Sequence, residues 1–599
     1  MAKRLLAVIM VASMLLALTA CQTPSSTPAP ATSAPSTETL APEASKTPEP
    51  EPITFKFWTA AGATGTSGIQ NNVIMNELAK RTGITLDVQY NIQPDQYSAM
   101  VASGDLPDLM TTEITAQNNS GTIGVKTYVQ GDNMVDMEPL LAEHGKDILL
   151  DSDKVEFGKE FLSNGTGKLY FIPSWGLGHS APLQKTFNNG LGIGIYLRWD
   201  VYKKIGYPEL TGGLNDIIPI LKKMQEAEPT TADGKKVYGL SPWLADWGFW
   251  SFTVYPQGLD NIFAEAGGFV DINCMTNEVT SQIGNTNSTL WQGVKFLYLA
   301  NQAGVLDPDC VMQKYDQAMD KMNSGRVLMG PTNWSVTGAN GTFTKNGELD
   351  KGYMPIKLPS NITQVCNLYR NSYTDRWAQG ITVKCKAPER AMDLLNFLHS
   401  DDGMRLLNNG IEGKDWNVGS DGLPHLTADT LKMMKGTADE LVAYGFGGYS
   451  HLYGRNPAAL DRKYNTSFIY QFNDDPSVLM NSATPFEKDF SDHYDVEYPD
   501  QLWEKTLPDQ TKVYDGSFMM MIDPITDEIQ QIDNSLSNYL LPAITQIITA
   551  KDENDYNTQQ AAIIEQCKNI GYEKAFEWHK SANEAALAKM DAFYAKVGK

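Results

Sequence analysis

Ser241-Pro242-Trp243-Leu244-Ala245-Asp246-Trp247-Gly248-Phe249-Trp250 places three indoles and a carboxylate within ten residues. An indole offers a flat apolar face and one N–H, and a nearby carboxylate can hydrogen-bond the polar rim of a ring lying on that face. Similar combinations sit in short polar stretches at Trp58-Thr59, Pro173-Ser174-Trp175, Pro331-Thr332-Asn333-Trp334 and Asp375-Arg376-Trp377, while Thr111-Thr112-Glu113 adds an acid after an apolar run. Twelve Trp and 26 Tyr are many for 599 residues, and those in Gly- and Pro-rich stretches are hard to assign to a core. A packing reading competes. Trp243, Trp247 and Trp250 are spaced by four and three, so one helical stripe could hold all three inside. Trp199, Trp291 and Trp578 lie in helical patterns and read as core, as does Met519-Met520-Met521.

Signals for catalysis are weak. The chain has no Gly-x-Ser-x-Gly elbow, His-Glu-x-x-His or P-loop. Gly190-Leu191-Gly192-Ile193-Gly194 lacks dinucleotide spacing and reads as a turn, and seven scattered His form no metal cluster. A glycosidase pair would need two carboxyls ~5 to 9 Å apart across a cleft, which spacing along a sequence does not reveal. The expectation is a non-enzyme without cofactor or metal.

The amino terminus carries an address. Lys3 and Arg4 precede an apolar run from Leu5 to Ala20, too short for the ~20 residues of a spanning helix. Residues 1–21 read as a signal peptide, and Leu18-Thr19-Ala20-Cys21 resembles a bacterial lipobox, in which Cys21 is acylated. A plain signal peptide ending by chance at Cys21 is the competing reading. Residues 22–52 hold eight Pro and eleven Ser or Thr, with Leu40 as the single large apolar residue. Such a segment cannot offset its ordering entropy and is expected to be a solvated linker. The address therefore points to the outer face of a cell membrane, held by lipid alone.

From Ile53 onward 547 residues remain, enough for more than one core. The net charge is −23, or −25 once Lys3 and Arg4 leave with the signal, and this disfavours nucleic acid and anionic lipid as partners. Besides Cys21 there are five cysteines, Cys274, Cys310, Cys366, Cys385 and Cys567, without a Cys-x-x-Cys. Cys366 and Cys385 could pair across a hairpin; buried free thiols are the other reading.

The elements that must position the aromatic loops follow an α/β rhythm. Strands are expected at Ile53–Trp58, Ile84–Tyr90 and from Leu109, with helices at Val73–Arg81 and Gln96–Ala102, a pattern that indicates a parallel sheet. A second region is expected to hold strands at 168–172, 192–197, 327–329 and 380–384, with helices at 199–205, 217–226, 290–303 and 388–399. The last third reads as helical over 527–550, 558–569 and 572–597.

The order of several motifs then becomes recognisable: Gly104-Asp105-Leu106-Pro107-Asp108-Leu109, Lys168-Leu169-Tyr170-Phe171-Ile172-Pro173, Tyr196-Leu197-Arg198-Trp199-Asp200, Asn323-Ser324-Gly325-Arg326 and the run from Ala387 to Met404. The chain resembles the extracellular solute-binding proteins of bacterial ABC importers for carbohydrates. Leu407-Asn408-Asn409-Gly410 through Trp416 is similar to the signature of the LplA-like lipoprotein branch, related to alginate-oligosaccharide binders. This resemblance implies an α/β, two-lobed periplasmic-binding-protein-like fold of type II, with discontinuous lobes around a cleft and a helical C-terminal region. By analogy lobe 1 spans 53–172 and 376–455, and lobe 2 spans 173–375 and 456–599. The implied role is a monomeric lipoprotein that captures an oligosaccharide by hinge closure and hands it to the transmembrane subunits of an ABC permease. A peptide or small-solute receptor and a tethered glycoside hydrolase or lyase are the rivals. The expected ligand-binding residues are Trp334, Trp243, Trp247, Trp250, Trp58, Thr59, Glu113, Trp175, Asp246, Arg376 and Trp377. One departure stands out. Relatives often carry an Asp/Asn-rich calcium loop before Tyr238, whereas Pro229–Lys236 holds one carboxylate and two cations, so no calcium is expected there.

Overall fold

The computed structural model describes residues 51–59, 65–90, 94–114, 124–175, 193–260, 262–265, 268–273, 276–359, 362, 373–434, 438–446, 448–457, 461–464, 480, 483–499, 501–502 and 516–598. Cys21, the signal segment and the linker lie outside them, as do Cys274 and Cys366.

The strands of the first half are β1 (Ile53–Trp58), β2 (Gly68–Ile69), β3 (Ile84–Gln89), β4 (Leu109–Glu113) and β5 (Ile172–Trp175). Those that follow are β6 (Ile193–Arg198), β7 (Ile262–Glu265), β8 (Val270–Asn273), β9 (Val279–Ser281), β10 (Met329–Thr332), β11 (Tyr353–Pro355) and β12 (Thr374–Ile381). A six-stranded sheet has the order β2-β3-β1-β4-β12-β5. β1 runs parallel to β3 and β4, but β12 is antiparallel to β4 and β5, and β2 is antiparallel to β3. The expected parallel sheet is thus correct for three strands. The rest differ because β12 enters from a segment some 260 residues away, which no local rhythm reports.

Local chemistry sets the helix between β1 and β3. Asn72 caps Val73–Thr82 by accepting from the Met75 N–H, and Gly83, at φ 70°, ends it with its N–H on the Ala79 carbonyl. Lys80 and Arg81 occupy the last turn, where the helix dipole favours cations, and Ile74, Met75 and Leu78 form the buried face. The helix Pro388–His399 has the bounds expected from its periodicity.

Two expected strands shift. Residues 168–171 do not pair as a strand, because Leu169 bonds instead to Asp136 and Met137, so β5 starts at Ile172. The strand expected at 380–384 ends at Ile381, where Thr382 donates its hydroxyl to the Pro107 carbonyl and accepts the Cys385 N–H at its own carbonyl, closing a turn.

A second sheet, β10-β6-β11, is antiparallel throughout, and β7-β8-β9 form a small meander. One apolar core gathers around Leu197, Trp199, Trp291 and the helices Asp527–Ile547 and Glu553–Ile570. Another gathers around Phe57, Ile84 and Leu394. A third joins Met110, Phe157 and Tyr373 to Val270 and to Phe593 of the helix Tyr572–Lys596. That helix therefore begins in the first core and ends in the third. Trp199 and Trp291 are fully buried and Met521 is buried, as their patterns suggest. Cys310, Cys385 and Cys567 are free buried thiols.

Candidate functional site

Two polar scaffolds aim the aromatic loop 241–250. Backbone bonds tie Tyr238 to Arg326 and Leu328, Met329 to Gly239, and Leu240 to Val305, so the loop leaves alongside β10. Beneath it Asp307, fully buried, accepts from the Ser241 hydroxyl at 2.7 Å and pairs with Lys321 at 2.6 Å. Gln313 donates its amide to Ser241 Oγ and to the Pro242 carbonyl, both at 2.9 Å. Buried polar groups of this kind are costly unless paired, so each partner constrains the loop.

The loop is not a helix. Asp246 bends it by accepting from the Trp247 N–H at 3.1 Å and from the Tyr315 N–H at 3.4 Å. Trp247 and Gly248 then follow with φ of 57° and 56°, the left-handed region, and a four-residue helix begins only at Trp250. The single helical stripe allowed by the spacing is therefore replaced by a turn. The indoles splay around Trp243, which is 2% exposed and forms the floor. Its N–H has no acceptor among the described residues.

Trp334 reaches the same place from another element. Thr332, at the end of β10, caps the helix Asn333–Lys345 by accepting from the Ser335 N–H, which puts Trp334 in the first turn. Its ring lies 6.1 Å from that of Trp250 at 28°. Trp247 stacks on Tyr315 at 4.5 Å and 18°, and meets Trp250 at 5.4 Å and 61°. Trp243 contacts Trp247, Trp250 and Tyr315. Trp247 is 44% and Trp334 42% exposed, so an aromatic cluster ends in two open indole faces. Sequence reasoning missed Tyr315. Its position in a polar stretch, Gln313-Lys314-Tyr315-Asp316, carried no periodic signal, and only the Asp246 clamp brings it in.

The other expected residues meet elsewhere. Trp58, Glu113, Trp377 and Trp175 lie on neighbouring strands of the six-stranded sheet, with Glu113 opposite Trp377 and Trp175 opposite Thr374. Trp58, Thr59, Glu113 and Trp377 are buried, and Thr59 donates its hydroxyl to the Gln89 carbonyl at 3.4 Å. Trp175 is half-buried, with φ 63°, and its ring lies 5.5 Å from Trp377 and 6.3 Å from Tyr453. Tyr453 is a second residue the sequence did not single out. Arg376 is in β12, but its side chain lies outside the described residues. No ring contact joins this rim to the Trp334 cluster among the described residues. In the Pro229–Lys236 loop the Asp233 carboxylate pairs with Lys235 at 3.0 Å and accepts from Thr231.

Behind the rim lies a buried ionic network. Lys154 donates to the Gly454 carbonyl at 2.8 Å, Arg455 pairs with Asp151 at 3.1 Å, and Arg405 pairs with Asp461 at 2.7 Å. Burial lowers the Lys154 ammonium to about 8 although Asp151 opposes the shift. His451, fully buried against Phe57, Tyr90 and Tyr449, is lowered by desolvation to about 3. Its carbonyl accepts from Thr111 and Gln379, tying the segment that carries Tyr453 to β4 and β12.

No family model and no curated protein matches the chain. Solved structures do. The chain is similar to FusA, a substrate-binding protein of an S. pneumoniae ABC transporter solved with kestose, at TM-score 0.56 and 15% identity over 90% of this chain and 100% of that one. An HMO-binding solute-binding protein of Bifidobacterium longum infantis aligns at TM-score 0.55 and 13% identity, covering 89% and 99%. The alginate-binding protein AlgQ2, solved without calcium ion, aligns at TM-score 0.51 and 16% identity, covering 89% and 98%. At such identities the likeness is one of architecture: the chain has the two-lobed α/β fold of the carbohydrate solute-binding proteins of ABC transporters, with a helical C-terminal region.

Proposed function

We propose that the chain is a lipid-anchored extracellular solute-binding protein of an ABC importer, without enzymatic activity, that binds an oligosaccharide and delivers it to the membrane permease. The observation that carries this is the pair of open indoles, Trp247 and Trp334, backed by other rings on a fold used by sugar receptors. Their exposed area is on the order of 100 Å² each, and covering both with C–H surface is worth roughly 5 kcal/mol at 25 cal/mol per Å² before ordering costs. Ligand held between two lobes stabilises the closed state through contacts the open state lacks. Trp175, Trp377 and Tyr453, on the rim of the other sheet, are the groups that would meet it from that side, with Arg376, Glu113, Trp58 and Thr59 beside them.

The proposed lobes follow the chain crossings near Pro173 and Arg376, consistent with β5 and β12 sharing the sheet of β1. The ion pairs of Asp461 with Arg405 and of Arg462 with Asp401 favour a third crossing after Tyr464 rather than at Arg455. A lipid on Cys21 and the linker would keep a monomeric receptor beside its permease.

A thermal-shift panel of oligosaccharides and peptides tests the ligand class, because a ligand of the native state alone raises the melting temperature. Shifts with peptides and none with sugars would refute the carbohydrate assignment, and product formation from any sugar would refute the non-enzymatic one. Cys21→Ser should release the protein from membranes.

A further inference from the structure

Two features of the aromatic cluster restrict the ligand more narrowly. First, the open faces belong to rings that are not coplanar. Trp247 is inclined 61° to Trp250, and Trp250 28° to Trp334, so the planes of Trp247 and Trp334 differ by between about 33° and 89°. Ring centroids at 5.4 and 6.1 Å from Trp250 place the two indoles no more than about 11.5 Å apart, within reach of neighbouring rings of one chain. Second, the inclination is enforced. Tyr315 covers one face of Trp247, Asp246 holds the backbone N–H groups of both residues, and Trp247 stays in a left-handed conformation that costs a non-glycine residue roughly 1 to 3 kcal/mol. Tyr315 in turn packs edge-on against the buried floor, Trp243.

We propose that this site selects an oligosaccharide whose successive rings are twisted against one another, and discriminates against flat, ribbon-like chains. The inference rests on the carbohydrate reading above. In a two-fold ribbon such as a β-1,4-linked glucose chain, successive rings present nearly parallel faces, so a ring flat on Trp247 leaves its neighbours edge-on to Trp334. A chain that winds, such as α-1,4-linked glucose or β-1,4-linked xylose, turns each ring plane and can lay one ring on each indole. Because both faces must be covered, a single sugar ring gains only part of the contact.

The test is isothermal titration of the full chain with wound trisaccharides (maltotriose, xylotriose), flat ones (cellotriose, β-1,4-mannotriose) and the corresponding monosaccharides. At least one wound trisaccharide should bind tenfold or more tighter than either flat one and than its monosaccharide. Trp247→Ala and Trp334→Ala should each weaken it at least fivefold, with Trp247→Leu and Trp334→Leu serving if an alanine variant melts early. Flat chains binding as tightly as wound ones, or only one of the two positions mattering, would overturn the twisted-ligand inference and leave the receptor reading intact. Absence of binding by every sugar would overturn the receptor reading itself and this inference with it.

Discussion

Acid should loosen the segment that carries Tyr453, and His451 is the reason. Its ring is fully buried among Phe57, Tyr90 and Tyr449, and neither ring nitrogen has a hydrogen-bond partner among the described residues. Desolvation lowers its pKa from 6.5 to about 3. Between those values the unfolded chain binds a proton that the folded one does not, so this contribution to stability is full above pH 6.5 and is lost as pH falls toward 3. At 1.36 kcal/mol per pH unit, lowering the pH from 7 to 4.5 removes roughly 2.5 kcal/mol through this one group. His399, buried and facing Lys154, Arg455 and Arg462, shifts in the same direction, so the wild type falls further than His451 alone requires. His451→Phe keeps an aromatic ring in contact with Tyr90 and removes the titration, while the carbonyl that binds Thr111 and Gln379 remains. Urea unfolding at pH 7 and 4.5, for wild type and variant, isolates the term: the acid-induced loss should be smaller by about 2.5 kcal/mol in His451→Phe. Histidine NMR should also show one imidazole that stays neutral to below pH 4. Equal pH dependence of the two proteins, or a ring titrating near 6.5, would refute the reasoning.

Other outcomes follow from the same coordinates. A methyl group at Gly293 would lie 2.1 Å from the Phe252 carbonyl oxygen, so Gly293→Ala should push away the short helix that begins at Trp250, lower the melting temperature by several degrees and weaken ligand binding measured by titration. The Lys154 ammonium has its folded pKa lowered to about 8, so the native state binds fewer protons than the unfolded one between pH 8 and 10.5, and this group adds stability as pH rises through that window. Lys154→Met should flatten that rise by about 3 kcal/mol, read from urea midpoints at pH 7.5 and 10. Asp151→Asn strips the carboxylate from buried Arg455 and should cost about 3 to 5 kcal/mol in the same assay.

How much was legible beforehand is clearest from individual elements. The helix Val73–Thr82 carried its cap at Asn72, its stop at Gly83 and its cations in the last turn, all local signals, and its position was evident. The same holds for Ile53–Trp58 and Pro388–His399. β12 was misplaced because its pairing with β4 and β5 joins segments remote in sequence. The aromatic residues were picked out by type, but their grouping was not legible. Spacing alone allowed Trp243, Trp247 and Trp250 to be one buried stripe, and nothing in it distinguished Trp334, which is open, from Trp58, which is buried.

The sequence by itself therefore determined the elements whose signals are local, the fold class and the residue types available for binding, because caps, periodicity and composition act within a few residues of each other. Tertiary structure decided which indoles remain uncovered and at what angle. That depends on Asp246 clamping Trp247 to Tyr315, on the Asp307 and Gln313 bonds that seat the loop, and on β10 delivering Trp334 to Trp250, contacts made across some 70 to 90 residues of chain. Such contacts are selected by packing and by satisfaction of buried polar groups in three dimensions, which no stretch of sequence encodes alone.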